Sequence, residues 1–292
     1  MTYPIGKQYE PDDKFKAAAR LHQSKYRADV LNVDCDEYGN RLLDEDARRL
    51  LNYYDGLNVR TALRSRYPSY LKTRDADMLR SEHIPFNLFA PLVINRTLAK
   101  DLIQNAFRIK CNEVLEVRFE YAPGPRENYL NDGTAFDVYI HYRGENDKES
   151  GIGIEVKYTE KSYPIGVTEK KNVENQDSKY WRVTKASGVF INDANPLLGS
   201  DAMRQIWRNH LLGLAMVQRG DIAEFTSIIL YPKGNDHFGQ VIPEYRALMH
   251  ESHRHQVNGC TYETFIAEIK GDGEIMKWKD YLEKRYLVNT DL

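Results

Sequence analysis

The spacing of hydrophobic and polar residues changes along the chain and divides it into two parts. Up to about residue 80, apolar side chains recur every three or four positions, a spacing that predicts helices. Two sets show this spacing: Phe15, Ala18, Ala19 and His22, and Leu42, Leu43, Ala47, Leu50 and Leu51. We therefore expect residues 1–80 to form a helical N-terminal region.

From residue 81 onward, strand-like segments alternate with helical ones. The strand-like segments are rich in β-branched and aromatic residues and end at polar or Gly/Pro-rich stretches. They lie at residues 114–121, 135–142, 151–158 and 225–231. Helical spacing occurs at residues 92–107, about 201–218 and 261–286. This order predicts an α/β core, with a mixed β-sheet flanked by helices, over residues 81–292.

Composition limits what such a chain can do. Its 292 residues, 41% of them hydrophobic, suffice for a sizeable core. The formal net charge is −2, so any surface that binds nucleic acid has to be local. The three cysteines are far apart and fit neither a disulfide framework nor a zinc knuckle. The chain begins without the apolar core of a secretory signal, and its longest apolar stretch is too short to span a bilayer, so we expect a cytoplasmic protein.

The strands at 135–142 and 151–158 predict a hairpin that carries three ionisable side chains. If the hairpin is centred near Asp147, paired residue numbers sum to about 294, which places Asp137 opposite Lys157 and diagonal to Glu155. Glu155 and Lys157 are two positions apart on one strand and share its face. Apolar neighbours predict that these groups are buried, where charges need partners. A divalent cation would be one, because hard Mg²⁺ prefers carboxylate oxygens.

Asp137 on one strand and Glu155-Val156-Lys157 on the next, after a helix and a first strand, resemble the PD-(D/E)xK superfamily, which has the restriction-endonuclease-like fold. The resemblance implies that Asp137 and Glu155 bind Mg²⁺, with Mn²⁺ as a substitute, and that the Val156 carbonyl assists. It also implies that Lys157 positions or activates the attacking water. Phe136 replaces the proline expected before the aspartate. Four other acid-x-Lys triplets occur in the chain, but they lack this context.

The same resemblance, which covers roughly residues 82–231, suggests two further catalytic residues. Many members add a glutamate from the helix before the first strand, and Glu82 is the candidate here. Many also carry a polar residue on the helix after the third strand. Gln205 fits that position, with Arg208 one helical turn away on the same face. The chain departs from a minimal core in the lysine-rich insertion at residues 158–185.

Basic and aromatic residues are concentrated in and after this insertion. We expect nucleic-acid contacts from its basic residues and from the helix that follows, at Lys161, Lys170, Lys171, Lys179, Arg182 and Arg208. The interleaved aromatic residues, which could stack on bases, are Tyr158, Tyr163, Tyr180 and Trp181. Four acids are interleaved as well, so a solvated surface is the alternative. A separate group, His250, His253 and His255, lacks the cysteine or acid that would complete a zinc site and is interpreted as loop histidines.

Together these patterns predict a Mg²⁺-dependent endonuclease that hydrolyses phosphodiester bonds, with DNA as the expected substrate. As a whole, the chain resembles a bacterial restriction-like endonuclease, which implies a restriction or defence role. Two alternatives stay open: a nucleic-acid-binding or scaffold protein of the same fold that does not cut, and an RNA or repair nuclease. The intact Asp137, Glu155 and Lys157 argue against the first. A homodimer would suit cleavage of both strands, by analogy alone.

Overall fold

A computed structural model describes residues 3–162 and 164–289. Of the aromatic residues singled out above, Tyr163 lies outside the described residues. Within the two described ranges, no helix combines the length and the apolar character needed to cross a membrane.

The strands of this part of the chain form a five-stranded mixed sheet. In both chain order and spatial order they are β1 (Glu113–Tyr121), β2 (Phe136–Arg143), β3 (Glu149–Val156), β4 (Glu224–Tyr231) and β5 (Val257–Thr261). Strand β2 is antiparallel to both of its neighbours, β1 and β3, whereas β4 is parallel to β3 and β5 is parallel to β4. Each parallel pair needs a crossover connection, and helices supply it.

Helices cover both faces of the sheet and form most of the chain before it. Those that precede the sheet are α1 (Lys14–Lys25), α2 (Asp44–Arg48), α3 (Val59–Arg66), α4 (Lys72–Asp75), α5 (Ile84–Ile94) and α6 (Arg96–Asn105). Those that follow β3 are α7 (Val167–Glu174), α8 (Lys179–Ser187), α9 (Arg204–Arg219), α10 (Asp236–Ala247), α11 (Tyr262–Ala267) and α12 (Gly273–Tyr286). This architecture confirms the predicted α/β fold with a mixed sheet flanked by helices.

The helix predicted at residues 92–107 is wrong in its extent. Helix α5 begins at Ile84, and Pro85 lies in its first turn, where a missing backbone N–H leaves no hydrogen bond unmade. The helix ends at Asn95, whose side chain accepts a hydrogen bond from the N–H of Leu98 at 3.0 Å and so caps a separate helix α6. Apolar positions recur on both sides of this break, which is why their spacing predicts one helix.

The register of the hairpin formed by β2 and β3 also differs from the prediction. Val138 pairs with Ile154, two positions earlier on β3 than predicted. The turn is closed by a hydrogen bond from the N–H of Gly144 to the carbonyl of Lys148 at 2.9 Å, so its centre lies one residue before Asp147. Side chains alternate between faces with a period of two, so a shift of two residues leaves each side chain on its predicted face.

Apolar cores lie on both faces of the sheet. On one face, strand residues such as Val138 and Ile154 join a core with side chains of α5, α6, α11 and α12. On the other face, strand residues such as Phe225 and Ile229 join a core with side chains of α8, α9 and α10. Gly213 lets α9 approach β4 closely, because a Cβ at this position would lie 2.0 Å from a ring carbon of Phe225. The close approach of α9 to the sheet therefore depends on a glycine.

The N-terminal helices contact the sheet layer directly. Phe15 and Ala19 of α1 pack against the first of the two cores. The side-chain amide of Gln23 donates to the hydroxyl of Tyr158 at 2.6 Å and to the carbonyl of Arg285 at 2.7 Å. These contacts join the beginning, middle and end of the chain. The predicted division into residues 1–80 and 81–292 stays a prediction.

We expect Gly213→Ala to destabilise the protein by about 1–3 kcal/mol, the usual cost of overpacking a core. The added methyl group would collide with the Phe225 ring and push α9 away from β4. Urea unfolding followed by circular dichroism measures the change. The matched control is Gly239→Ala in α10, where a Cβ would meet no atom within 4 Å. It should be neutral or stabilising by up to about 1 kcal/mol. Equal midpoints for the two variants would contradict this account of the contact.

Candidate active site

Asp137, Glu155 and Lys157, from here on called the trio, meet at one end of the sheet. Asp137 lies at the start of β2 and Glu155 at the end of β3, and these ends adjoin because the strands are antiparallel. Asp137 Oδ2 accepts a hydrogen bond from the backbone N–H of Val156 at 2.7 Å. Lys157 follows β3, and its Nζ donates to Glu155 Oε1 at 2.7 Å. The register places Asp137 in line with Glu155, so the predicted position opposite Lys157 is wrong.

The surroundings of the trio exclude most water. Glu155 is 9% exposed and Lys157 is 4% exposed, so solvent screens their charges poorly. Burial and the neighbouring Glu155 carboxylate raise the pKa of Asp137 well above its usual value, whereas the Lys157 ammonium acts in the opposite direction. Two close carboxylates in such surroundings repel each other. A cation between them would relieve this repulsion.

Helix α9 supplies two amide groups to the trio. Gln205 Nε2 donates to Glu155 Oε1, and Asn209 Nδ2 donates to Glu155 Oε2. The two side chains are four residues apart, so they lie on the same face of α9. Together these two hydrogen bonds fix the direction in which the Glu155 carboxylate points. Asn209 was not predicted, although its spacing from Gln205 is a sequence signal that could have found it.

The side-chain oxygen of Asn209 is available to accept a hydrogen bond or to bind a cation. The residue is 3% exposed, and its Oδ1 has no hydrogen-bond partner among the described residues. Buried carbonyl oxygens normally have partners, and an oxygen of this kind suits a bound water or a cation. The donors around Glu155 therefore leave one oxygen available for a ligand.

Glu120 on β1 is a third carboxylate beside the trio, and the sequence analysis missed it. Phe119 pairs with Val138 in the register of β1 and β2, so the next position puts Glu120 in line with Asp137. Its backbone is left-handed, with φ of 48°, which is uncommon for a residue other than glycine. Burial raises the pKa of Glu120, and the charge of Glu155 adds to the increase. In the sequence, Glu120 occupies a charged position of an alternating strand, where a solvent-exposed side chain is expected. Its position next to Asp137 follows only from the strand register.

Glu82 lies in a short 3-10 helix directly before α5. Its exposed carboxylate pairs with Arg80 at 3.3 Å, and among the described residues it forms no hydrogen bond or ion pair with the trio. It is close enough to Glu120 to help raise the pKa of that side chain. A catalytic role for Glu82 stays a prediction.

The residues predicted to contact nucleic acid lie on several elements. Lys161 lines a narrow cavity next to Glu155 and Lys157, and its Nζ lies 2.9 Å from a carboxylate oxygen of Asp13. The other predicted basic residues are Lys170 and Lys171 on α7, Lys179 and Arg182 on α8, and Arg208 on α9. Their contact with nucleic acid stays a prediction.

The three described aromatic residues of the same segment are core residues. Tyr158 is 0% exposed, and Tyr180 and Trp181 are each 1% exposed. The ring of Trp181 packs against Trp207 of α9, with 4.7 Å between the ring centres. The prediction that these three rings stack on bases is therefore wrong. The Tyr180 and Trp181 rings instead pack α8 against Trp207 of α9.

In residues 3–162 and 164–289, no group of three His, Cys, Asp or Glu side chains is arranged to hold a metal ion. The three histidines at 250, 253 and 255 belong to a short 3-10 segment and its cap, which agrees with their interpretation as loop residues. A cation at the trio would have the carboxylates of Asp137 and Glu155. Mg²⁺ commonly takes one or two carboxylates and keeps several waters, so this donor set fits it.

Comparison with known proteins extends these observations. The family model for the PD-(D/E)XK nuclease superfamily matches residues 10–288. No curated protein and no solved structure gives a significant match. The matched range contains the trio, the whole sheet and helices α1 to α6, all of which precede the sheet, and it is longer than the range that the sequence resemblance covered. The chain therefore belongs to the PD-(D/E)XK nuclease superfamily.

Proposed function

We propose that this protein is a Mg²⁺-dependent endonuclease that hydrolyses phosphodiester bonds in DNA at the trio. One observation carries the proposal above all others. Asp137 and Glu155 lie in line across two paired strands, and the Lys157 ammonium lies 2.7 Å from Glu155 in surroundings that exclude most water. A restriction or defence role is the further proposal that the resemblance supports.

Each protein group in the trio has a role in this proposal. A divalent cation bound by Asp137 and Glu155 would neutralise charge on the phosphate and lower the pKa of a water molecule. Glu155 is held in one orientation by Lys157, Gln205 and Asn209. The Lys157 ammonium can orient the attacking water or stabilise the negative charge that develops on the phosphate oxygens. Exclusion of bulk water strengthens each of these interactions.

A purely structural ion pair explains the arrangement less well. Such a pair accounts for Glu155 and Lys157 but leaves Asp137 as a second carboxylate in the same poorly hydrated place. Retaining an excess buried charge is costly unless it has a partner. Asn209 Oδ1 adds a polar atom without a hydrogen-bond partner among the described residues. A site that receives a cation and water accounts for both features.

The proposal predicts metal-dependent cleavage that requires the trio. Purified protein is incubated with supercoiled plasmid, linear DNA and RNA, in Mg²⁺, Mn²⁺ or EDTA. We expect DNA cleavage in either metal ion and none in EDTA. Asp137→Asn and Glu155→Gln should each lower the rate by at least about 100-fold, because each removes a charged ligand.

The control for these variants is Glu149→Gln. Glu149 lies at the other end of β3, where its half-exposed carboxylate pairs with His141 at 3.2 Å and Arg143 at 3.6 Å. This variant should cleave at the wild-type rate. Cleavage that survives both trio variants would overturn the site assignment. A failure to cut any substrate in either metal ion would favour a protein that binds nucleic acid without cutting it.

The raised pKa of Asp137 predicts how stability depends on pH and metal. Without metal, the folded protein holds a proton on Asp137 more tightly than the unfolded chain does. The free energy of unfolding should therefore fall as pH rises from about 4 through the raised pKa. Above it the charged Asp137 faces Glu155 and Glu120, and the Lys157 ammonium opposes their charge. Asp137→Asn removes this loss and should be more stable than the wild type at neutral pH in EDTA.

Thermal unfolding between about pH 4 and pH 8, in EDTA and in Mg²⁺, measures this effect. The difference between the two proteins should disappear near the ordinary pKa of aspartate. Saturating Mg²⁺ should raise the melting temperature of the wild type more than that of Asp137→Asn, because ligand binding stabilises only the folded state. Parallel pH profiles together with equal responses to Mg²⁺ would contradict the proposed site.

The amide pair on α9 predicts a positioning role for Asn209. Asn209→Ala should lower activity about 10–100-fold and raise the Mg²⁺ concentration needed for half-maximal activity. Gln218→Ala is the control, because Gln218 lies at the other end of α9 and donates to the carbonyl of Val183 at 3.0 Å. A purely structural role for Asn209 would reduce stability and leave the Mg²⁺ dependence of the remaining activity unchanged.

A further inference from the structure

A further cleft lies between the loop that precedes β2 and the first turn of α7. It has a volume of about 620 Å³, and its lining includes Arg126, Asp132, Thr134, Gly166, Glu169 and Arg208. We propose that this α7 cleft binds a phosphate group of the nucleic-acid strand close to the bond that is cut. The proposal rests on the proposed function for its ligand, and on the lining of the cleft for its site.

Two of the lining residues connect the cleft to the trio. Thr134 lies three residues before Asp137 on the segment that leads into β2. Arg208 lies on α9 directly before Asn209, which contacts Glu155. Phosphates recur along a duplex strand about every 3.4 Å of the helix axis. A strand held at the trio therefore presents further phosphates to the surfaces next to it.

The first turn of α7 contributes backbone donors. Residues 166–169 line the cleft, and they are the N-cap and first turn of this helix. The cap residue is Gly166, which has no side chain to accept a hydrogen bond from the first-turn N–H groups. These groups and the positive end of the helix dipole favour an anion. A Cβ on Gly166 would meet no atom within 4 Å, so the space beside the helix end is open.

Thr134 gives independent evidence for a ligand. It is 5% exposed, and its Oγ1 has no hydrogen-bond partner in the part of the chain that the structure describes. Buried hydroxyl groups nearly always have a partner, and a phosphate oxygen would accept a hydrogen bond from this one. The carboxylate of Asp132 is already engaged, since it accepts hydrogen bonds from the N–H of Thr134 at 2.8 Å and from the hydroxyl of Tyr180. The Thr134 hydroxyl is therefore a hydrogen-bond donor that has no acceptor among the described residues.

The charges around the cleft show which cation is available. Glu169 is 8% exposed and pairs with two residues of α9, with Arg204 at 3.4 Å and Arg208 at 3.2 Å. Arg204 also pairs with Asp201. Arg126 is exposed and forms no ion pair with any residue that the structure describes. The charges of Glu169 and Asp201 thus nearly balance those of Arg204 and Arg208. The Arg126 guanidinium can contact a phosphate without first breaking an ion pair with a described carboxylate.

Binding of a fluorescent single-stranded oligonucleotide, measured by anisotropy in EDTA to prevent cleavage, tests the α7 cleft. Arg126→Gln should weaken binding about five-fold and reduce the slope of log affinity against log salt by about 0.7, the value for one phosphate contact on a single strand. Thr134→Val keeps the shape of the side chain but removes the hydroxyl. It should weaken binding about three- to ten-fold and leave the salt slope unchanged.

The control is Arg143→Gln, at the far end of β2, where Arg143 pairs with Glu113 at 3.0 Å and with Glu149 at 3.6 Å. It removes the same charge and should leave affinity within about two-fold of the wild type, as expected for a residue outside the binding surface. Wild-type affinity in both cleft variants would overturn the proposal, as would an absence of oligonucleotide binding by the wild-type protein.

The same measurements separate this proposal from the nuclease proposal. Trio-dependent cleavage together with unchanged binding by the cleft variants would overturn only the cleft. Weaker binding by the cleft variants in a protein that cuts nothing would support the cleft and overturn the nuclease. Comparison of oligonucleotides with a 5′-phosphate and a 5′-hydroxyl identifies the source of the phosphate. Equal effects of the variants on both indicate an internal phosphodiester, and an effect confined to the phosphorylated strand indicates a terminal phosphate.

Discussion

The burial of the Glu155 carboxylate is the constraint on which the rest of the site depends. A carboxylate removed from water must be met by donors, and here they come from Lys157 just after the same strand and from Gln205 and Asn209 on α9. Those amides reach Glu155 only because α9 lies close to the sheet, which in turn requires Gly213 against the Phe225 ring. The packing of the apolar side of α9 against the sheet thus determines whether the amides of its first turns can reach Glu155.

The sequence predicts the parts of this arrangement that are local. The trio is local because a hairpin brings its two strands together, and an error of two residues in register left its members on the same face. Glu120 depends on strand register, which periodicity cannot show, whereas Asn209 could have been found from its four-residue spacing to Gln205. The break between α5 and α6 depends on a single capping residue, Asn95. The short strand β5 was not predicted, because its residues, with Gly259 at their centre, do not alternate clearly between apolar and polar.

The insertion between β3 and α9 is more closely tied to the site than its lysine-rich composition indicates. Its Tyr180 and Trp181 side chains pack into the core around α9, and Glu169 pairs with Arg204 and Arg208 on that helix. At its start, Lys161 pairs with Asp13 near the beginning of α1. The insertion therefore connects α9 with the N-terminal helices, and the family match across residues 10–288 covers all three.

The turn between β2 and β3 lies at the opposite end of the hairpin from Asp137, about 20 Å away along β2 at 3.3 Å per residue. Exposed turns usually tolerate changes in length during evolution. Here a single inserted residue that shifted the pairing would exchange the two faces of one strand and turn Asp137 away from Glu155. Such an insertion would have to be absorbed as a bulge. Natural variation in this turn should therefore leave the pairing of β2 with β3 unchanged, although the turn lies far from the trio.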